Sequence, residues 1–121
     1  MTKAFAIPAL AVALAAPAVA AERYEAALDC VPAEVALDYT CIVQLSRGGV
    51  PVADAAFTVK PDMPSMPLAH NIAPVPAAAA ETPGEYAVPL TLDMHGRWVL
   101  RLDISAPARD VVVIDHAFEP E

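Results

Sequence analysis

The sequence predicts an all-β protein, an antiparallel β-sandwich of about six to seven short strands, and three observations carry that prediction. Apolar residues beyond position 21 recur every second residue, the period of a half-buried strand. Thirteen prolines stand against four glycines, a balance that suits strands joined by stiff loops and is hostile to helices. No segment beyond residue 21 sustains the 3.6-residue apolar period of an amphipathic helix.

The elements follow in chain order. Met1-Thr2-Lys3 is a short basic start, residues 4–16 are apolar and uncharged, and Ala18-Val19-Ala20 is a small-residue cleavage site. Together these read as a secretory signal peptide over residues 1–21, which sends a domain of residues 22–121 out of the cytoplasm. The other reading is a retained anchor, but the run is shorter than the roughly 20 residues a span needs and Pro8 and Pro17 interrupt it. No stable membrane span is therefore expected after cleavage. Tyr24, Ala26, Leu28 and Cys30 share one side of a first, weak strand. Val35, Leu37, Tyr39, Cys41, Val43 and Leu45 alternate with polar neighbours in a longer one, and Arg47-Gly48-Gly49 is a turn. Ala55, Phe57 and Val59 mark the next strand. Tyr86, Val88, Leu90 and Leu92 mark another, and Trp98, Leu100, Leu102 and Ile104 another, with His95-Gly96 between them where a tight hairpin turn belongs. Asp110 to Phe118 is a valine-rich last strand. The Ala77–Ala80 run has room for one helical turn, but Pro74, Pro76 and Pro83 bound it.

Composition removes some functions. Fifteen Asp and Glu against seven Lys and Arg leave a net charge of −8, so a nucleic-acid footprint is missing and an anionic membrane surface would repel the chain. The charge favours cationic partners and metal ions. An enzyme is not expected. The only serines, Ser46, Ser65 and Ser105, sit in no nucleophile motif, and His70, His95 and His116 lack zinc-hydrolase spacing. His116 reads as a solvated residue at a strand end.

Cys30 and Cys41 are the only cysteines. In an oxidising compartment they are a candidate disulfide. Two buried thiols are the plainer alternative, and copper ligation by the pair is a third.

The informative loop is the long connection from Pro61 to Gly84. Its later half, Pro74 to Pro83, is a stiff Pro/Ala spacer. Its earlier half carries Met63, Met66 and His70, with Pro64 and Pro67 restricting the backbone. Thioethers and imidazole are soft enough to hold Cu(I), and a thioether cannot be lost to a disulfide. Met94 and His95, at the turn before the tryptophan strand, extend the candidate metal set. Against this, methionines fill gaps in cores: Met63 and Met66 could cap the open end of the sandwich, and Met94 continues the apolar series from Tyr86 to Leu92.

At this loop the chain resembles a known family. Met63-Pro64-Ser65-Met66-Pro67 with His70-Asn71, then Pro83-Gly84-Glu85-Tyr86, Leu90-Thr91-Leu92-Asp93-Met94 and Gly96-Arg97-Trp98, followed by Leu100-Arg101-Leu102-Asp103-Ile104, resemble the FixH/YtkA-like family in order and spacing. The resemblance implies an immunoglobulin-like sandwich facing the periplasm. It also implies copper handling, or a periplasmic or membrane protein partner in metal transfer or oxidase assembly. FixH-type members retain a membrane helix, whereas this chain opens on what reads as a cleavable signal. The sequence thus leads to two expectations. One is a periplasmic copper chaperone or store using the Met-Pro loop. The alternative is an interaction module of the same family that holds no metal.

Overall fold

A computed structural model describes residues 22–67 and 71–120. The signal-peptide reading of residues 1–21 and the candidate ligand His70 lie outside the described residues.

Among the described residues nine strands follow one another: β1 (Tyr24–Pro32), β2 (Asp38–Arg47), β3 (Val50–Pro51), β4 (Ala56–Asp62), β5 (Val75–Pro76), β6 (Ala78–Ala79), β7 (Glu85–Thr91), β8 (Gly96–Ala106) and β9 (Asp110–Phe118). They form two antiparallel sheets. The first has the order β1-β2-β7-β6, with β3 beside the end of β2; the second has the order β5-β4-β8-β9. The six long strands are those that the period-two pattern predicts. The three additional strands are two residues each, too short to leave a periodic trace.

The core forms because each long strand turns alternate residues toward the facing sheet. From the first sheet come Tyr39, Cys41, Val43, Leu45, Tyr86, Val88 and Leu90, and from the second Phe57, Val59, Trp98, Leu100, Leu102 and Ile104, all buried. Each such apolar side chain contributes about 1.5–3 kcal/mol by leaving water. No polar or charged residue is buried among the described residues. The hydroxyls of Tyr24 and Tyr86 are satisfied. The Tyr86 hydroxyl donates to the Val52 carbonyl at 2.6 Å and accepts from the Ala55 amide at 2.9 Å. The Tyr24 hydroxyl makes the same double bond to the carbonyl and amide of Ala108, at 3.0 and 2.9 Å. Both tyrosines belong to the first sheet; Ala55 precedes β4 and Ala108 lies between β8 and β9, so each hydroxyl reaches a connection of the second sheet at one end of the sandwich, while Val52 follows β3 of the first.

Cys30 and Cys41 are directly opposite each other in the β1–β2 register and form a disulfide. A closed loop of this size stabilises by about 2–4 kcal/mol. Both thiols are consumed, so the copper-ligating and free-thiol alternatives for this pair fall away.

Four expectations need correction. Val35 and Leu37 are not in a strand: the Asp38 amide bonds back to the Val35 carbonyl at 3.1 Å, Leu37 has φ +69°, and β2 begins only at Asp38. Apolar alternation thus ran on into a turn. The His95-Gly96 turn closes no hairpin, because β7 pairs with β2 and β6 while β8 pairs with β4 and β9. The turn crosses from one sheet to the other. The alanine run forms β6 against β7 rather than a helical turn. His116 is half-buried on the inward side of β9, its ring edge-on to Phe118 with centroids 4.5 Å apart. By contrast, the Gly48-Gly49 turn is as expected: both residues have positive φ, as a two-residue hairpin between β2 and β3 requires.

Candidate metal centre

The inward series of β4 is Phe57, Val59 and Pro61, and it runs one step beyond the strand to Met63, which is buried. A β-turn follows, with Pro64 at its second position and the Met66 amide donating to the Met63 carbonyl at 3.0 Å. This turn reverses the chain and carries Met66 out to solvent, 42% exposed. One of the two loop methionines therefore caps the core, as a gap filler would, and the other does not.

The inward series of β7 ends at Leu92, whose amide donates to the Leu37 carbonyl at 2.9 Å. The chain then leaves for the second sheet. Met94 does not continue the core series: the turn swings it outward to 36% exposure, while its carbonyl accepts the Trp98 indole N–H at 3.2 Å. His95 is half-buried and lines a cleft of about 240 Å³ together with Leu37 and Tyr39.

The two segments meet at Gly96. A Cβ built on that residue would stand 3.2 Å from the Met63 Cε, and its φ is +133°. The absent side chain is what lets the Met63 methyl group lie against the turn, in a backbone conformation that favours glycine. Register supports the same neighbourhood: Asp62 is opposite Val99, and Gly96 is opposite Phe118. Phe118 in turn stacks on Tyr39, with centroids 4.7 Å apart. Of the predicted ligands, Met63 is thus against the turn that carries Met94 and His95, and Met66 is one β-turn from Met63. The fifth, His70, lies outside the described residues.

The candidate donors on these two segments are thioethers and one imidazole, types that suit a monovalent copper ion better than a hard cation. Among the described residues, no group of three or more His, Cys, Asp or Glu is assembled anywhere. Sequence reasoning missed His116, whose inward position follows from extending the alternation of Val112 and Ile114 by two residues.

A family model described as YtkA-like matches residues 18–103, well over half of the chain. The chain belongs to the YtkA-like family. Searches of curated proteins and of solved structures each returned no match. The matched stretch of this YtkA-like chain runs from before β1 into β8 and takes in Met63, Met66, Met94 and His95. The last strand, β9, which supplies His116 and Phe118, lies beyond it. Among the described residues no helix is long and apolar enough to cross a membrane.

Proposed function

We propose that this YtkA-like domain binds Cu(I) outside the cytoplasm and acts as a chaperone or store rather than as an enzyme. In this reading Met63, Met66 and His70 hold the ion, with Met94 or His95 as a further ligand. The observation that carries the proposal is the approach of the Met63 methyl to Gly96, which gives one neighbourhood to side chains some thirty residues apart in sequence. Copper would supply soft-metal affinity; the chain's part is to keep one thioether fixed in the core and others within reach of solvent. Such a mix suits transfer by ligand exchange, because exposed thioethers bind without locking the ion in.

The test is competition for Cu(I) between the purified protein and a chromophoric chelator. Stoichiometric binding is expected, lost when Met63, Met66 and Met94 are all replaced by leucine. Leucine keeps the volume and removes the sulfur. If the wild-type protein leaves the chelator's copper untouched, the proposal fails.

One observation favours the second reading, an interaction module. Val35, Met66 and Met94 are exposed near the same end, 64%, 42% and 36% respectively, and flexible methionines suit adaptable contact surfaces. It predicts that the same leucine variant, normal in fold, keeps its partner.

A further inference from the structure

The outer face of the first sheet holds a second feature, remote from the methionines. Past Gln44, β2 exchanges partners: Gln44 is opposite Glu85 of β7, but Ser46 is opposite Pro51 of β3. The Leu45 amide bonds to the Gly84 carbonyl at 2.8 Å, and the Val52 amide to the Leu45 carbonyl at 2.9 Å, so the handover is fixed by backbone bonds on both sides. The step leaves a groove of about 400 Å³ between the start of β1 and the turn before β7. Ala27, Pro51 and Pro83 give it apolar surface, and the carboxylates of Glu25 and Glu85 line it. Gln44 donates to Glu85 Oε1 at 3.2 Å, leaving its own amide oxygen as a further acceptor.

The charge of this face is one-sided. Its outward strand positions carry Glu25, Asp29, Asp38 and Glu85. Arg47 is the only Lys or Arg in β1, β2 and β7, and it is engaged elsewhere: its Nε donates to the Glu22 carbonyl at 2.7 Å and its guanidinium lies 5.2 Å from the Tyr24 ring centroid. Among the described residues neither Glu25 nor Glu85 has a cationic partner. The opposite face differs, because there Lys60 pairs with Asp62 and Arg101 with Asp103.

We propose that this groove docks an extended segment of a partner protein that carries lysine or arginine between small apolar residues. The apolar floor would take the stem of such a side chain, and Glu25, Glu85 and the Gln44 oxygen its charged head. The exposed setting makes the contact weak and salt-sensitive. Copper binding has no part in it.

The test is an amide-resolved NMR titration of the full protein with the blocked peptide Ala-Lys-Ala-Lys-Ala, beside the same peptide with norleucine for lysine. Shifts are expected at residues 25–27, 44–46 and 82–85 with the lysine peptide alone. The Glu25→Gln/Glu85→Gln variant should weaken binding by about threefold or more. Ala27→Arg, which puts a cation into the groove from an exposed position, should abolish it while leaving the remaining spectrum in place. Shifts of equal size at Asp29, Asp38 and Asp54 would reduce the effect to diffuse attraction and overturn the proposal. So would equal binding of the norleucine peptide, or undiminished binding by either variant.

Discussion

The two ends of the sandwich are closed by different chemistry. At one end the Tyr24 and Tyr86 hydroxyls each give and take a backbone hydrogen bond, Tyr24 with Ala108 and Tyr86 with Val52 and Ala55. At the other, closure depends on the Met63 side chain, the Trp98 indole bonded to a turn carbonyl, and the Tyr39–Phe118 ring contact. Hydrogen bonds of the first kind are directional and leave little freedom. A thioether packed against a glycine is held by shape alone and can repack. The contrast teaches that a small domain can fix its frame at one end and reserve the other for adaptable side chains. Of the candidate ligands, the described ones, Met63, Met66, Met94 and His95, fall on the second.

The sharpest way to break the comparison is Met63→Ala. Removing a buried methionine should cost about 2–5 kcal/mol of unfolding free energy, read as a lower urea midpoint, because the sandwich end cannot fully collapse. Met63→Leu should cost less than about 1.5 kcal/mol. The pair separates packing from ligation: a copper-binding loss seen with alanine alone would be structural, whereas the same loss with leucine would belong to the sulfur. A near-neutral Met63→Ala would show that this end is not held by Met63 at all.

Tyr86→Phe probes the other end. It removes one hydroxyl and leaves the Ala55 amide and Val52 carbonyl without their partner, at about 1–3 kcal/mol. Copper competition should be unchanged. If instead Tyr86→Phe alters copper binding at constant fold, the two ends are coupled and the division between frame and site fails.

How far these features were legible in the sequence depends on their range. The six long strands were, because period-two alternation is a local signal that burial enforces residue by residue. Met63's burial follows the same signal, since it stands two residues beyond Pro61 on the β4 series. The cross-sheet turn at His95-Gly96 was not legible. A glycine-containing turn looks alike whether it joins neighbours or facing sheets, and the choice is made by β4 and β9, which claim both edges of β8. Met94 was misjudged for the same reason: alternation predicts an inward residue only while the strand continues, and β7 stops at Thr91. The disulfide needed the β1–β2 register, which neither cysteine's spacing nor its neighbours encode. The pairing of Met63 with Gly96 is a contact between distant segments, and no local pattern announces it.

The smallest expected effect lies beside the tyrosine-stitched end, where Arg23 donates to Asp110 at 2.9 Å and to the Val111 carbonyl at 3.2 Å. The Arg23 hydrogen bond, helped by the Val111 amide, holds the Asp110 carboxyl below the usual aspartate range, and the same contact raises the guanidinium further. A carboxyl whose pKa is depressed by folding binds fewer protons folded than unfolded. Its contribution is therefore complete above the unfolded aspartate value of about 3.9 and is lost as the pH falls through the lower folded value. At pH 7 Arg23→Ala should change the urea midpoint only slightly, because the arginine side of the pair is open to solvent. The variant should nonetheless bring the Asp110 titration, followed by carboxyl-carbon NMR, back up toward the ordinary range. In acid the wild type and variant should converge in stability, since protonated Asp110 no longer distinguishes them. A gap that persists unchanged as the pH falls would mean that Arg23 acts through the Val111 carbonyl, holding the start of β9 rather than its charge partner.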